Sequence, residues 1–283
     1  MSSHKKSHSY SLSQSISEKM ALPEKRTLKK IAHPKAQKPS QKTEQHHIYR
    51  THTKLHSQQD LLNPSQERVP QTVSLKTARG RTTAQQRWLV RQLNDPYVHA
   101  AHRQGWRSRA AFKLIELDNR FHFIRKGIKA VDLGAAPGSW TQVLLKRGVK
   151  HIVGIDLLPV KPLLGAHILE GDFTEPDMPE RLKNLLGGKA DLVLSDMAPN
   201  TTGHASTDHL RIIALAEEAF WFARDVLAED GVFIAKVFQG GTEQALLNDL
   251  KKNFTQIRHT KPLASRKNSS EMYVIATGFR SYR

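Results

Sequence analysis

Residues 131–140, Val-Asp-Leu-Gly-Ala-Ala-Pro-Gly-Ser-Trp, are the stretch that decides the fold. The apolar run Lys129–Leu133 has the length of a buried strand, and helical spacing begins after Gly138. Gly134 and Gly138 allow backbone to approach a ligand closely, and Pro137 stiffens the turn. Ligands of open parallel sheets bind at such turns, beyond the carboxyl ends of the strands. The stretch therefore indicates a nucleotide-type loop, although an ordinary strand-to-helix turn can also contain two glycines.

Short apolar runs of strand length recur after this loop. With Lys129–Leu133, the predicted strands are His151–Leu157, His167–Gly171, Ala190–Met197, Val232–Val237, Phe254–His259 and Met272–Thr277. Ser139 is predicted to cap a helix that runs to Gly148, and a longer helix is predicted from about His209 to Leu227. Strands separated by helices predict an α/β fold with a mostly parallel seven-stranded sheet covered on both faces. The last two strands have no long helical insert, which predicts a hairpin at the sheet edge.

Acidic residues indicate what the loop binds. Asp132, Asp156 and Asp172 lie at the ends of three successive predicted strands. Asp156 is placed to accept hydrogen bonds from ribose hydroxyls, and Asp172 is placed within reach of a base edge. The loop contains no Lys or Arg and lacks the G-x-G-x-x-G spacing of dinucleotide sites, because Ala136 stands at the second glycine. The pattern favours an adenosyl ligand without a pyrophosphate, such as S-adenosylmethionine, over the ligand of a dinucleotide-dependent dehydrogenase.

Positive charge is concentrated at the start of the chain. The 283 residues include 44 Lys and Arg against 26 Asp and Glu, a net charge of +18. Residues 1–85 hold 16 of these cations and five of the acids, without sustained apolar periodicity. They are predicted to be a basic, disordered extension, and residues 86–283 to be one α/β domain. The seven histidines of the extension are scattered, so no metal site is predicted there. The excess of cations favours a polyanionic partner.

The composition also excludes several classes of protein. Without cysteine the chain has no disulfide, thiol catalysis or thiolate metal site. No apolar run approaches the roughly 18 residues of a membrane span, and the N-terminus lacks the apolar stretch of a secretory signal. A soluble protein of the cytoplasm is expected. A mitochondrial transit peptide is the alternative, because the first 17 residues contain no acid, but Arg is absent before Arg26.

Seven short motifs in the second part of the chain carry a resemblance to a known family. They are Arg107-Ser-Arg-Ala-Ala-Phe-Lys113, Asp132–Trp140, Asp156-Leu-Leu-Pro159, Gly171-Asp-Phe173, Ser195-Asp-Met-Ala-Pro-Asn200, Lys236-Val-Phe-Gln-Gly240 and Ser269-Ser-Glu-Met-Tyr-Val274. In this order they resemble the FtsJ/RrmJ group of Rossmann-like ribosomal RNA 2′-O-ribose methyltransferases, from near Asp95 to the C-terminus. Ser139 departs from a glycine usual in the family, and the long segment before Asp95 is not explained by the resemblance.

The resemblance implies a catalytic set and a cofactor site. It places Lys113, Asp196, Lys236 and Glu271 in catalysis, with Lys236 as the proton acceptor. It places Gly138, Trp140, Asp156, Asp172 and Asp196 around S-adenosylmethionine, and it implies no metal.

Each of these residues also has a structural interpretation. Lys113 could be a surface lysine on a helix, Asp196 a loop cap, Glu271 an edge charge and Trp140 a core aromatic. Lys236 is harder to explain structurally, because its neighbours on both sides are apolar and a buried lysine requires a partner. Nearby carboxylates would favour the charged form of Lys236, whereas burial and the ammonium of Lys113 would favour the neutral form.

The resemblance also implies a substrate and partners. A uridine ribose in large-subunit ribosomal RNA is the expected target, with ribosomal RNA or the large ribosomal subunit as partner, no membrane, and a monomeric enzyme. Transfer RNA is the alternative substrate. A non-catalytic RNA-binding protein of ribosome assembly is the alternative function, which the complete set of two lysines and two carboxylates disfavours.

Overall fold

The computed structural model describes Ser74 and residues 80–199, 202–238 and 244–281. Most of the predicted extension, residues 1–85, lies outside these ranges, so its disorder and the domain boundary stay predictions. No helix in the described part of the chain combines the length and the apolar character that a bilayer span requires.

A seven-stranded sheet forms the centre of the described chain. Its strands are β1 Lys129–Leu133, β2 His151–Asp156, β3 Ala166–Glu170, β4 Ala190–Ser195, β5 Leu227–Phe238, β6 Phe254–Thr260 and β7 Glu271–Phe279. Their spatial order is β3-β2-β1-β4-β5-β7-β6. The first five strands pair in parallel, and β7 runs antiparallel to both β5 and β6. The predicted mostly parallel sheet with a hairpin at its edge is confirmed.

Seven helices accompany the sheet in the described residues. They are α1 Thr83–Leu93, α2 Pro96–Arg103, α3 Ala110–Phe121, α4 Ser139–Lys146, α5 Met178–Leu186, α6 Ala205–Val226 and α7 Gln244–Asn253. The long helix predicted from His209 begins four residues earlier than expected. Ser139 is not the cap of α4, and that prediction was wrong. Gly138 takes the cap position with φ +99°, which places Ser139 inside the first turn, with its Oγ 2.7 Å from Ser108 Oγ.

The alternation of side chains along the strands builds a core on each face of the sheet. On β5, Phe233 packs on the face covered by α5, α6 and α7, and Ile234 packs on the opposite face, against α3 and α4. Both side chains are fully buried. The predicted cover of helices on both faces is therefore confirmed, and the ends of the strands remain as the surface on which a site can form.

Candidate active site

The loop after β1 is held tightly against two neighbouring strands. The backbone N–H groups of Gly134 and Ala135 both donate to the carbonyl of Ile155, at 2.9 and 3.0 Å. Gly134 has φ +79°, and a Cβ at this position would lie 2.7 Å from the backbone nitrogen of Met197. Any side chain at residue 134 would therefore push the loop away from the residues that follow β4.

A cavity of about 430 Å³ opens beside this loop, at the carboxyl ends of β1, β2 and β3. Its floor includes Gly134, Asp156, Asp172 and Met197, and α6 contributes the outer wall. The volume lies in the range of small-molecule sites. Its position at the strand ends agrees with the general location of ligands in parallel sheets.

Asp156 and Asp172 both line the cavity and keep capacity to bind a ligand. Asp156 accepts backbone hydrogen bonds from Ala136 at 2.8 Å and from Leu158 at 2.9 Å, one on each oxygen. Each carboxylate oxygen can accept a second bond. Asp172 Oδ1 accepts from the backbone N–H and the hydroxyl of Thr174, and these bonds hold the pKa of Asp172 below its ordinary value. Both carboxylates can therefore accept hydrogen bonds from ligand hydroxyl or amino groups.

Asp132 differs from these two carboxylates because it is buried beneath the loop. Its Oδ2 accepts from the Thr141 hydroxyl at 2.7 Å, and its Oδ1 has no hydrogen-bond partner among the described residues. Burial raises the pKa of Asp132 from 3.8 to about 7. Asp132 thus ties β1 to α4 and does not line the cavity.

Gly138 and Trp140 lie at the start of α4. The Trp140 ring is buried in the core, 5.7 Å from the Tyr273 ring, and its indole N–H donates to the Ala110 carbonyl at 2.9 Å. The side chain thus has the core role that was the alternative for this residue. A contact of Trp140 with a cofactor would have to come from its backbone N–H, which belongs to the unpaired first turn of α4. Cofactor binding by Gly138 and Trp140 stays a prediction.

Arg107 braces the loop that follows β1. Its guanidinium donates to the carbonyl of Pro137 at 2.9 Å and to that of Pro162 at 3.1 Å, so it joins the loops that follow β1 and β2. Its backbone N–H donates to Gln142 Oε1 at 2.8 Å. Arg107 opens the first of the seven motifs, and nothing in that motif indicated this bracing role.

The two predicted lysines and two predicted carboxylates meet around one tyrosine. Lys236 Nζ donates to the backbone oxygen of Asp196 at 2.6 Å and to its Oδ1 at 3.0 Å. Lys113 forms an ion pair with Glu271. The Tyr273 hydroxyl lies 2.8 Å from both Asp196 Oδ1 and Glu271 Oε1, and Lys113 Nζ donates to it at 3.3 Å. Because the Tyr273 hydroxyl lies between the two carboxylates, it links the Lys236–Asp196 and Lys113–Glu271 ion pairs. It has one proton, so it donates to only one carboxylate at a time.

Strand register brings these residues together. In the antiparallel pairing of β5 and β7, Lys236 lies directly opposite Tyr273, and Glu271 precedes Tyr273 by two residues on the same face. Lys113 on α3 is packed over that face. Asp196 directly follows β4, the strand next to β5. The cluster therefore depends on four separate segments of the chain.

The charges in the cluster stabilise one another. Burial alone would lower the pKa of Lys113, but the negative charges of Asp196 and Glu271 outweigh it and raise that pKa. Burial likewise opposes ionisation of Asp196, yet Lys113 and Lys236 hold its pKa below the ordinary value. Burial, with the two carboxylates, raises the pKa of Tyr273 well above 10. At neutral pH Lys113 is thus cationic, Asp196 anionic and Tyr273 a neutral hydrogen-bond donor.

Comparison with known proteins shows which family contains this cavity and this lysine–carboxylate cluster. Residues 106–279 match the model of a family described as FtsJ-like methyltransferase, and they contain both the cavity and the lysine–carboxylate cluster. The chain belongs to this family. As an FtsJ-like methyltransferase it is an enzyme of Rossmann-like fold that uses S-adenosylmethionine. The resemblance drawn from the seven motifs is confirmed.

Individual relatives agree with the family match. A protein of Gluconobacter oxydans named ribosomal RNA large subunit methyltransferase E is 70% identical over 212 residues, which cover 75% of this chain and 79% of the relative. A protein of the same name from Granulibacter bethesdensis is 66% identical over 74% of this chain and 90% of its own length. A crystal structure from Plasmodium falciparum, assigned as a ribosomal RNA methyltransferase, has a TM-score of 0.56 and 32% identity, and covers 62% of this chain and 98% of its own.

The cavity of this FtsJ-like methyltransferase fits S-adenosylmethionine. Gly134 lets the loop lie against the backbone after β4, where a Cβ would clash with Met197, and the loop thereby borders the cavity. Asp156 and Asp172 supply acceptors suited to ribose hydroxyls and an adenine amino group. The described residues contain no group of three or more His, Cys, Asp or Glu side chains placed to hold a metal ion.

Removing either carboxylate of the cavity is expected to weaken cofactor binding. Asp156→Ala and Asp172→Ala should each cost about 1.5–3 kcal/mol of S-adenosylmethionine affinity, because a hydrogen bond to a charged group is removed. Titration calorimetry measures this directly. Asp225→Ala, at an exposed site on α6, is the matched control and should bind normally. Unchanged affinity in both cavity variants would remove these residues from the cofactor site.

Proposed function

We propose that this FtsJ-like methyltransferase methylates the 2′-hydroxyl of a uridine ribose in large-subunit ribosomal RNA. The relatives at 70% and 66% identity bear the name ribosomal RNA large subunit methyltransferase E, which supports this substrate. The single observation that carries the chemistry is the buried cluster of Lys113, Asp196, Lys236 and Glu271 around Tyr273. A protein that only bound RNA would have no use for two lysines buried against two carboxylates, because burying charge is costly.

In this proposal Lys236 acts on the hydroxyl of the substrate. When bound, S-adenosylmethionine supplies a methyl group on a positively charged sulfur, which a ribose oxygen can attack. Asp196 occupies two of the three positions around Lys236 Nζ through its backbone oxygen and Oδ1. The third position remains for the substrate. In the neutral amine it is a lone pair that accepts the hydroxyl proton, and in the ammonium it is an N–H that stabilises negative charge on the oxygen.

Asp196, Tyr273, Lys113 and Glu271 position Lys236 in this proposal. Asp196 holds the amine directly, and the Tyr273 hydroxyl holds Asp196 Oδ1 from the other side at 2.8 Å. Lys113 balances the charge of Glu271, so that the cluster of two cations and two anions is neutral as a whole. Such fixed dipoles and charges reduce the reorganisation that proton transfer would otherwise require.

Mapping of methylated nucleotides tests the proposed substrate. The purified enzyme with S-adenosylmethionine is offered isolated large subunits, deproteinised ribosomal RNA and transfer RNA from cells that lack the enzyme, and ribose methylation is located by mass spectrometry. We expect one new 2′-O-methyluridine in large-subunit RNA and none with Lys236→Ala. Methylation of transfer RNA alone would replace the substrate, and no methylation of any RNA would reject the proposal.

We further propose that the enzyme works as a monomer in the cytoplasm, where ribosomal RNA is available.

We also propose that the basic segment predicted over residues 1–85 binds RNA as an arm that precedes α1. Its first 73 residues carry 13 Lys and Arg against five acids. Binding of such an arm to phosphate groups adds affinity without reading bases.

Deleting residues 1–73 is expected to weaken RNA binding and its salt dependence. The deletion leaves α1 and its capping Thr82 in place. The RNA-binding constant decreases with salt concentration, and on a log–log plot the steepness of this decrease should be lower by about 0.7 for each phosphate that the arm no longer neutralises. Roughly two to five phosphates are expected to be involved. Binding of one RNA from low to moderate salt measures this slope, and cofactor affinity serves as the control. Superimposable curves for the full and shortened chains would reject the RNA-binding arm.

A further inference from the structure

Helix α1 presents apolar surface that the rest of the described chain does not cover. The helix begins with a capping box formed by Thr82 and Gln85, and none of its residues is buried. The Trp88 side chain is 50% exposed, and Val90 and Leu93 are also exposed. Three apolar side chains exposed on one short helix are more than a single scattered residue, and a contiguous exposed apolar surface indicates a binding site.

The charge on α1 indicates which kind of ligand. The helix contains Arg87 and Arg91 but no acidic residue. Both arginines are exposed, and neither forms an ion pair with a carboxylate within the described ranges. An aromatic ring beside unpaired cations is suited to single-stranded nucleic acid, because bases stack on the ring while phosphates bind the arginines. An acidic protein could pair with the arginines but would leave the indole face without a matching flat surface.

Arg91 connects this helix to the catalytic cluster. It lines a cavity of about 320 Å³ together with Lys113 and Glu271. Trp88 lies three residues before Arg91, so both side chains are on the same side of α1, within about one helical turn, or 5.4 Å. An RNA strand whose ribose reaches Lys236 must leave the site over the neighbouring surface. The cavity lined by Arg91 borders Lys113 and Glu271 of the cluster and so lies on this neighbouring surface.

The other tryptophans lack this combination. Trp140 is buried, Trp106 has Lys146 Nζ 3.9 Å from its ring centroid, and Trp221 has the Arg224 guanidinium at 4.4 Å. Trp88 has no cation over its ring among the described residues.

We propose that Trp88 is a stacking platform for a base that flanks the target nucleotide, and that Arg91 binds the phosphate on the strand between them. This inference rests on the proposed function, because it takes RNA as the substrate. It adds a site for a neighbouring base, outside the catalytic cluster.

Substitution of Trp88 separates base stacking from phosphate binding. The probes are a single-stranded oligouridylate of twelve nucleotides and a ribose-phosphate oligomer of the same length without bases. For the full chain, Trp88→Ala should weaken oligouridylate binding about tenfold, and Trp88→Tyr should retain most of the affinity. Neither variant should change binding of the abasic oligomer. Trp221→Ala removes a tryptophan of similar exposure, 44%, and should bind both probes normally.

Two results would overturn the stacking site. One is unchanged oligouridylate affinity in Trp88→Ala, and the other is an equal loss for the abasic oligomer. Methylation of ribosomal RNA, measured in parallel, distinguishes this failure from failure of the proposed function. Stacking on Trp88 without any methylation would reject the function alone, whereas methylation with binding that is independent of Trp88 would reject the stacking site alone.

Discussion

Replacing Lys236 by alanine is expected to lower the rate of methyl transfer by about 10³-fold, with less than about a twofold change in S-adenosylmethionine affinity. The lysine contacts Asp196 and does not line the cofactor cavity, so its loss removes the group proposed to act on the hydroxyl and leaves the cavity in place. Single-turnover rates at saturating cofactor measure the chemical step without product release.

Two controls make this result interpretable. Lys236 is only 8% exposed, and its removal deprives Asp196 of its ion-pair partner and leaves it the Tyr273 hydroxyl, which should lower the melting temperature. Lys236→Met keeps most of the side-chain volume without the amine and should be equally slow. Lys252→Ala, on the exposed face of α7, should be fully active. Substantial methylation by both Lys236 variants would remove this lysine from the chemistry.

Asp196→Asn is expected to slow methyl transfer about 10²-fold while leaving the fold intact, because the amide keeps the size of the side chain but loses the charge that holds Lys236. Lys113 and Lys236 would then face only Glu271 among the carboxylates of the cluster. Cofactor affinity should fall less than the rate, since the neighbouring residue Met197, and not Asp196, lines the cavity.

The difference in stability between the wild type and Asp196→Asn should depend on pH in a defined direction. The folded pKa of Asp196 lies below its ordinary value of 3.8, so its ionised form stabilises the native state. That contribution is fully present above the ordinary pKa and disappears as the pH falls through the folded pKa. The melting temperature of the wild type should therefore exceed that of Asp196→Asn at about pH 5–7, and the difference should shrink only below about pH 4. A constant difference down to about pH 2 would contradict the low pKa.

The sequence was sufficient for the central strands of the sheet because they are short apolar runs, whereas the edge strand β6 is mostly polar and was indicated by its β-branched residues and its position before β7. Lys236 could be singled out for a similar local reason, since an amine among apolar neighbours needs a partner. Ser139 was misjudged as a cap because serine commonly caps helices, whereas the positive φ of Gly138 moves the start of α4 by one residue. That backbone angle depends on how the loop packs against other segments.

Tyr273 and Arg107 show what local patterns do not contain. Tyr273 lies in an apolar strand and has the pattern of a core residue, and its role follows from the register that sets it opposite Lys236. Arg107 joins two loops through carbonyl groups of Pro137 and Pro162, which any residue could supply. A sequence motif cannot reveal hydrogen bonds made to backbone atoms of distant segments.

The strand order has a consequence for how such an enzyme can change over evolutionary time. The residues proposed for the methyl donor follow β1, β2 and β3, on one half of the sheet, and the lysine cluster is built on β5, β7 and α3, on the other half. Substitutions that alter how the substrate hydroxyl is handled therefore fall on the second half, and those that alter binding of the methyl donor fall on the first. The segment after β4 lies between the two halves, with Asp196 in the lysine cluster and Met197 on the cavity, so a mutation in this segment is exposed to selection from both.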